Sequence, residues 1–193
     1  GVVQVDIRYD SDNRICCELE APEKLMIGDP VPKHLIASTL SIRELDIVTT
    51  THPPQTASVG LPFIFVELAS LSALQQAEIN RPELKKLINR GFQSYIHLYC
   101  RNIDDFDIRA PMFAPMDGVV EDPATGSANC ALIGLLAHCD PEATFDKNWR
   151  ISQGTEIGRP SVLHGRTQKK HGQVSGTWIG GNSVSISEGI LKL

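Results

Sequence analysis

Glu121-Asp122-Pro123-Ala124-Thr125-Gly126-Ser127-Ala128-Asn129 leads without a break into Cys130-Ala131-Leu132-Ile133-Gly134-Leu135-Leu136-Ala137-His138. The first half is a loop, with Pro123 and Gly126 as its punctuation. From Ser127 to His138 the side chains are small or apolar on nearly every side. A helix that is apolar all round is buried all round, so the spacing predicts a helix over 127-138 running through the middle of a domain. The flanking sequence supplies what would bury it. Val3, Val5 and Ile7 alternate with Gln4, Asp6 and Arg8, and Ile15 to Leu19 follows after Asp10-Ser11-Asp12-Asn13, which reads as a β-hairpin. Leu61 to Leu68 reads as a strand buried on both faces, Ser94 to Cys100 as another, and Phe106 to Phe113 as its antiparallel neighbour. Short glycine-punctuated strands fill the C-terminal third, through Val184 and Ile186 to Ile190-Leu191-Lys192-Leu193. The expected architecture is α+β: an antiparallel sheet curled around one central buried helix.

Elsewhere the pattern is helical. Pro32 to Leu45 carries Leu35, Ile36, Leu40 and Ile42. Ser72 to Arg90 reads as a surface helix that Pro82 splits in two. Ala21 to Pro32, with three prolines and Gly28-Asp29, reads as a crossing between lobes, and Ile47 to Thr51 as a short strand.

Composition excludes several classes. Hydrophobic residues are 41% and charged residues 21% of 193, which fits a globular domain and not a disordered or fibrous chain. Eighteen basic residues against twenty-three acidic ones give a net charge of -5, so nucleic acid is not expected as a partner. Lys169-Lys170-His171 reads as a solvated loop tip. The apolar run 61-68 is far shorter than the ~20 residues of a membrane span, so no membrane is expected. Five cysteines, an odd number without CxxC pairs, read as free thiols in a reducing compartment, hence a cytoplasmic protein. The six histidines show no HxxxH or HExxH spacing, so no metal site is expected.

The chemistry concentrates where the loop meets the helix. Gly126 lets a ligand approach the backbone, and the first-turn amides, with the helix dipole, favour an anion such as a carboxylate. Thr125 and Ser127 offer hydroxyls and are candidate N-caps. Asp122 and Glu121 place carboxyl groups beside that site, where partial burial raises a pKa toward proton transfer. Plain helix capping, with Asp122 a turn residue before Pro123, fits the spacing as well. Cys130, close to the helix start, is a minor candidate for a reactive thiol, and Arg159 for a reach toward a substrate carboxylate.

The string Glu121 to Ala128 closely resembles the signature of the phenazine-biosynthesis isomerase-like (PhzF-like) family, related to diaminopimelate epimerase. Ser58-Val59-Gly60-Leu61-Pro62 before an apolar strand, and Gln153-Gly154 through Ile157-Gly158-Arg159-Pro160-Ser161, agree in kind and order. Asn129 stands where many members have histidine. The resemblance implies two similar lobes, each a sheet curled around a central helix, with the active site between the helix N-termini. It places residues 1-26 as the closing hairpin of a first, mostly absent lobe and 27-193 as the second. It implies a cofactor-independent isomerase moving a proton on a small carboxylated substrate, with Gly126, Ser127 and Thr125 binding substrate and Asp122 assisting. The family's main acid/base glutamate belongs to the first lobe and has no match here, which leaves activity of this chain open. A non-catalytic small-acid binder with the same fold is the alternative. Apolar surface near residues 115-128 is expected to support dimerisation.

Overall fold

A computed structural model describes residues 3–9, 11–184 and 186–190. Residues Leu191, Lys192 and Leu193, expected in a final strand, lie outside the described residues. The elements in order are β1 (Val5–Tyr9), β2 (Ile15–Glu20), β3 (Met26–Pro30), α1 (Lys33–Leu40), β4 (Ile47–Val48), β5 (Gln55–Ser58), β6 (Pro62–Leu68), α2 (Leu71–Gln76), α3 (Arg81–Asn89), β7 (Ile96–Ile103), β8 (Phe106–Arg109), β9 (Met112–Ala114), β10 (Val119–Asp122), α4 (Gly126–Cys139), β11 (Phe145–Gln153), β12 (Ser161–Lys170) and β13 (Gln173–Ser183).

The fold is α+β and sheet-rich. Strands run β1-β2-β13-β12-β11-β8-β7-β6-β5-β3 across one continuous sheet, with β4 on β6, and β9 joining β7 to β10. The sheet is mixed, which corrects the expectation of a purely antiparallel one: β6 lies parallel to β7, and β11 parallel to β8. The β6–β7 connection is the reason. It contains α2 and α3, and a helical crossover returns the chain in the same direction.

Two cores flank the middle strands, because β6 and β7 alternate apolar residues on both faces. Phe63, Phe65 and Tyr99 point to the α4 side. Ile64, Val66, Leu68, Ile96 and Leu98 point to a second core capped by α1, α2 and α3. The sequence expectation of a single helix-filled core therefore missed a layer. The 72-90 helix is indeed divided: α3 starts one residue before Pro82, and Asn80 caps it through Oδ1 to the Glu83 amide at 3.2 Å. The 21-32 crossing holds β3, paired to β5.

The all-apolar helix is where periodicity placed it, one residue longer at each end. Ten of its residues, Ala128 to Ala137, are buried. It packs on β12 and β13 from one side and on β5 and β6 from the other. Gly165 of β12 permits the approach, since a Cβ there would stand 2.6 Å from Ile133 Cδ1. The C-terminal strands are long, not short, and β13 ends at Ser183, with Val184 and Ile186 exposed beyond it. β1 pairs antiparallel with β2 as expected of the hairpin, with residues 1, 2 and 10 outside the described residues, and β2 pairs with β13. Lys169 is not solvated: it is 3% exposed, and its Nζ donates to the carbonyls of His138 (3.3 Å) and Asp140 (2.6 Å), satisfying the C-terminal end of α4. Among the described residues, no helix is long and apolar enough to cross a membrane.

Candidate active site at the N-terminus of α4

β10 delivers Asp122 to the mouth of α4, and Pro123 to Thr125 make the turn. A cavity of about 270 Å³ opens there, lined by Asp122, Thr125 and Ser127 together with Phe63, Tyr95 and Met112. Gly126 faces a second, larger hollow of about 740 Å³, bounded by Leu19, Val162 and Ile179. Three of the four expected site residues thus share one cavity, and the fourth, Gly126, lines the other hollow.

Thr125 does not cap α4 with its side chain. Its hydroxyl instead donates to Asp122 Oδ2 at 2.5 Å. The reason lies in Gln153, at the end of β11 and fully buried. Gln153 Nε2 donates to the Asp122 carbonyl (2.6 Å) and to Thr125 Oγ1 (2.9 Å). With that lone pair occupied by a donor, the Thr125 proton is free to point at the carboxylate. Gln153 Oε1 accepts from the Thr125 amide (3.1 Å) and from Asn129 Nδ2 (2.7 Å), so its amide makes four bonds.

Asn129, fully buried, also donates to the Thr125 carbonyl at 2.9 Å. Both its N–H groups are then used, so its Oδ1 accepts from His97 Nε2 at 3.2 Å. His97 on β7 is therefore the Nε2–H tautomer, and its Nδ1 is buried without a partner. Burial pushes its pKa down to about 4, with the Asn129 bond acting weakly the other way, so it is neutral. A polar chain thus runs from Asp122 through Thr125, Gln153 and Asn129 to His97, beneath a helix end whose first-turn amides have no intrahelical partner.

Glu121, expected beside the site, does not line that cavity. Burial, and then the Glu156 charge, push its pKa up to about 7. Cys130 is buried and its thiol is pushed up to about 11, which removes the thiolate that reactivity requires. Arg159 is exposed and does not line the cavity. Gln153, His97 and Glu156 were missed as site residues. Only Gln153 left a trace, in the Gln153-Gly154 pair.

A sheet-rich α+β fold thus brings a carboxylate, a serine and a helix end without a side-chain cap to one cavity. The chain belongs to the phenazine biosynthesis-like protein family, whose pattern matches residues 1–189. It is similar to an uncharacterised isomerase from Mesorhizobium japonicum, with 29% identity over 88% of this chain and 57% of that protein. It is also similar to the trans-2,3-dihydro-3-hydroxyanthranilate isomerase of Pseudomonas chlororaphis, with 32% identity over 79% of this chain and 52% of that protein. The crystal structure of the Bacillus anthracis phenazine biosynthesis protein of the PhzF family superposes with a TM-score of 0.79 at 17% identity, over 94% of this chain and 62% of that one. The chain spans between half and two-thirds of the length of these proteins.

Proposed function

We propose that the protein is an isomerase that moves a proton on a small carboxylated substrate, without metal or organic cofactor. The observation that carries this reading is the single cavity shared by Asp122 and Ser127 at the uncapped N-terminus of α4. The substrate carboxylate binds the amides of Gly126 and Ser127 and the Ser127 hydroxyl, where the helix dipole favours negative charge. Thr125 shapes the same wall. Asp122, oriented by the Thr125 hydroxyl, assists by polarising the substrate or holding a proton in transit.

The principal acid/base belongs to a first lobe of the diaminopimelate-epimerase-like kind. Residues 1-26 act as its closing hairpin and 27-193 form the second lobe around α4. Exposed Met116, Val119 and Val120 beside the loop supply the apolar surface for a homodimer. Free cysteines support a cytoplasmic setting.

The test, on full-length protein that carries both lobes, is solvent deuterium incorporation, followed by mass spectrometry, into a panel of cyclic and amino-acid-like acids that includes trans-2,3-dihydro-3-hydroxyanthranilate. At least one acid exchanges, and Asp122→Asn slows that exchange about 10²-fold. No exchange into any member overturns the isomerase reading and leaves a binding protein with the same pocket.

A further inference from the structure

The loop that carries Asp122 to Ser127 rests on the turn formed by residues 154-159. Gly154 has φ +75°, and a Cβ there would stand 2.4 Å from the Arg159 carbonyl oxygen and 2.8 Å from that of Pro123, so turn and loop are in backbone contact. Next to it, Gln153 holds the Asp122 carbonyl at 2.6 Å. Displacement of the turn therefore displaces the loop.

That turn carries an unbalanced set of charges. Arg109, from the end of β8, donates Nε (2.9 Å) and Nη2 (2.8 Å) to the same oxygen of Glu156, Oε1. Glu156 Oε2 is buried without a partner, and so is Glu121 Oε1 on β10. Glu121 stands two residues before Pro123 and Glu156 two after Gly154, where loop and turn touch; each carboxyl thus leaves one buried oxygen unpartnered, and the guanidinium bonds Glu156. Glu121 holds its proton to about pH 7. The Cys100 thiol on β7, near Arg109 and Glu156, is pushed up to about 11 by burial and adds no charge. Asp122, the next residue on β10, points the other way into the cavity and is occupied by Thr125.

We propose that Glu121 and Glu156 form a pH-responsive clamp on the Asp122–Ser127 loop. With Glu121 neutral, one guanidinium balances one carboxylate and the loop sits on the turn. Loss of the Glu121 proton sets two partly desolvated carboxylates against each other, and their repulsion separates β10 from the turn and loosens the start of α4. The sign follows from the raised pKa: the folded, clamped state binds a proton that the loosened state releases, so clamping is complete well below pH 7 and is lost as pH rises through it. The device regulates the same site as the proposed isomerase, but its readout is loop order and needs no substrate, so the two readings fail separately.

The test is an amide NMR titration of the chain from pH 5.5 to 8.5, with hydrogen exchange at Thr125, Gly126 and Ser127. The three amides shift together with a midpoint near 7, and their exchange accelerates above it beyond the ordinary base-catalysed rise seen at exposed amides. In Glu121→Gln the step vanishes and the loop stays in its low-pH form. In Glu156→Gln the side-chain carboxyl of Glu121, followed by carbon detection, titrates lower by about one pH unit, and the loop step weakens. The Glu156 variant tests the clamp independently should Glu121→Gln fold poorly. Absence of a step between pH 6 and 8 in the wild type, or a step that persists unchanged in Glu121→Gln, overturns the clamp and assigns any titration to the histidines.

Discussion

Replacing Gln153 by leucine is the sharpest test of the polar chain beneath α4. Leucine nearly matches glutamine in volume, so the change removes hydrogen bonds without opening a cavity. Four bonds disappear, but not all of their partners are stranded. Asn129 Nδ2 keeps the Thr125 carbonyl, and Thr125 Oγ1 keeps Asp122. The Thr125 amide and the Asp122 carbonyl lose their Gln153 partners. Each stranded group costs about 1–3 kcal/mol, and leucine's added apolar burial returns about 1, which leaves a net loss of about 3 kcal/mol. With a urea m-value of about 2 kcal/mol/M, the midpoint falls by about 1.5 M. Urea unfolding followed by fluorescence of Trp149, buried on the same strand, reads it directly. Gln153→Glu keeps the acceptor oxygen but loses both donors and buries a charge facing the Asp122 carbonyl, so its loss is larger at pH 7 than at pH 5. A midpoint shift below about 0.3 M for Gln153→Leu would refute the reasoning, because it would mean that water or relaxation satisfies the stranded groups without cost.

Two further outcomes follow from the same region. His97 is neutral when folded, depressed from 6.5 to about 4, so its contribution is fully present above pH 6.5 and is lost as pH falls toward 4. The span sets an upper limit of about 3 kcal/mol, and the stability-versus-pH slope of His97→Gln between pH 4 and 6.5 is flatter than that of wild type by up to that amount. Gly154→Ala is expected to destabilise by about 2–4 kcal/mol, because left-handed backbone strain adds to a clash with two carbonyl oxygens. Gly158→Ala, with φ +71° but open space around it, costs only about 1, and thermal melts of the pair separate clash from strain.

Much of the sheet was legible because its signals are local. The 5-9 and 15-20 hairpin, the doubly buried β6 and the all-apolar α4 each announce themselves by period and composition within a dozen residues. Parallel pairing of β6 with β7 was not legible, since it depends on α2 and α3 acting as a crossover and not as surface decoration. Lys169 illustrates another limit. In sequence it sits in a basic run, and only the closure of β12 over the C-terminus of α4 turns its ammonium into a cap. That Asp122, Thr125 and Ser127 would meet at the start of α4 was legible because they lie within six positions of one another. Gln153 and His97 come from strands 28 residues after and before Thr125, and a hydrogen bond across that separation leaves no periodic mark.

The isolated polar residue in α4 resolves a problem that its apolar sequence creates. A helix without a polar face buries about the same area at any rotation about its axis, and hydrophobic burial is non-directional. Packing against Gly165 limits how α4 sits on β12 but gives no directional bond. Asn129 supplies direction: its amide must meet Gln153 Oε1 on β11 through Nδ2 and His97 on β7 through Oδ1, and a turn of 100° strands both. Because Asn129 is two residues from Ser127 and three from Gly126, fixing its rotation also fixes which first-turn groups face the cavity. The buried bonds to Asn129 therefore act at the mouth of the helix, where a ligand carboxylate would need them to act, and not in the core that contains them.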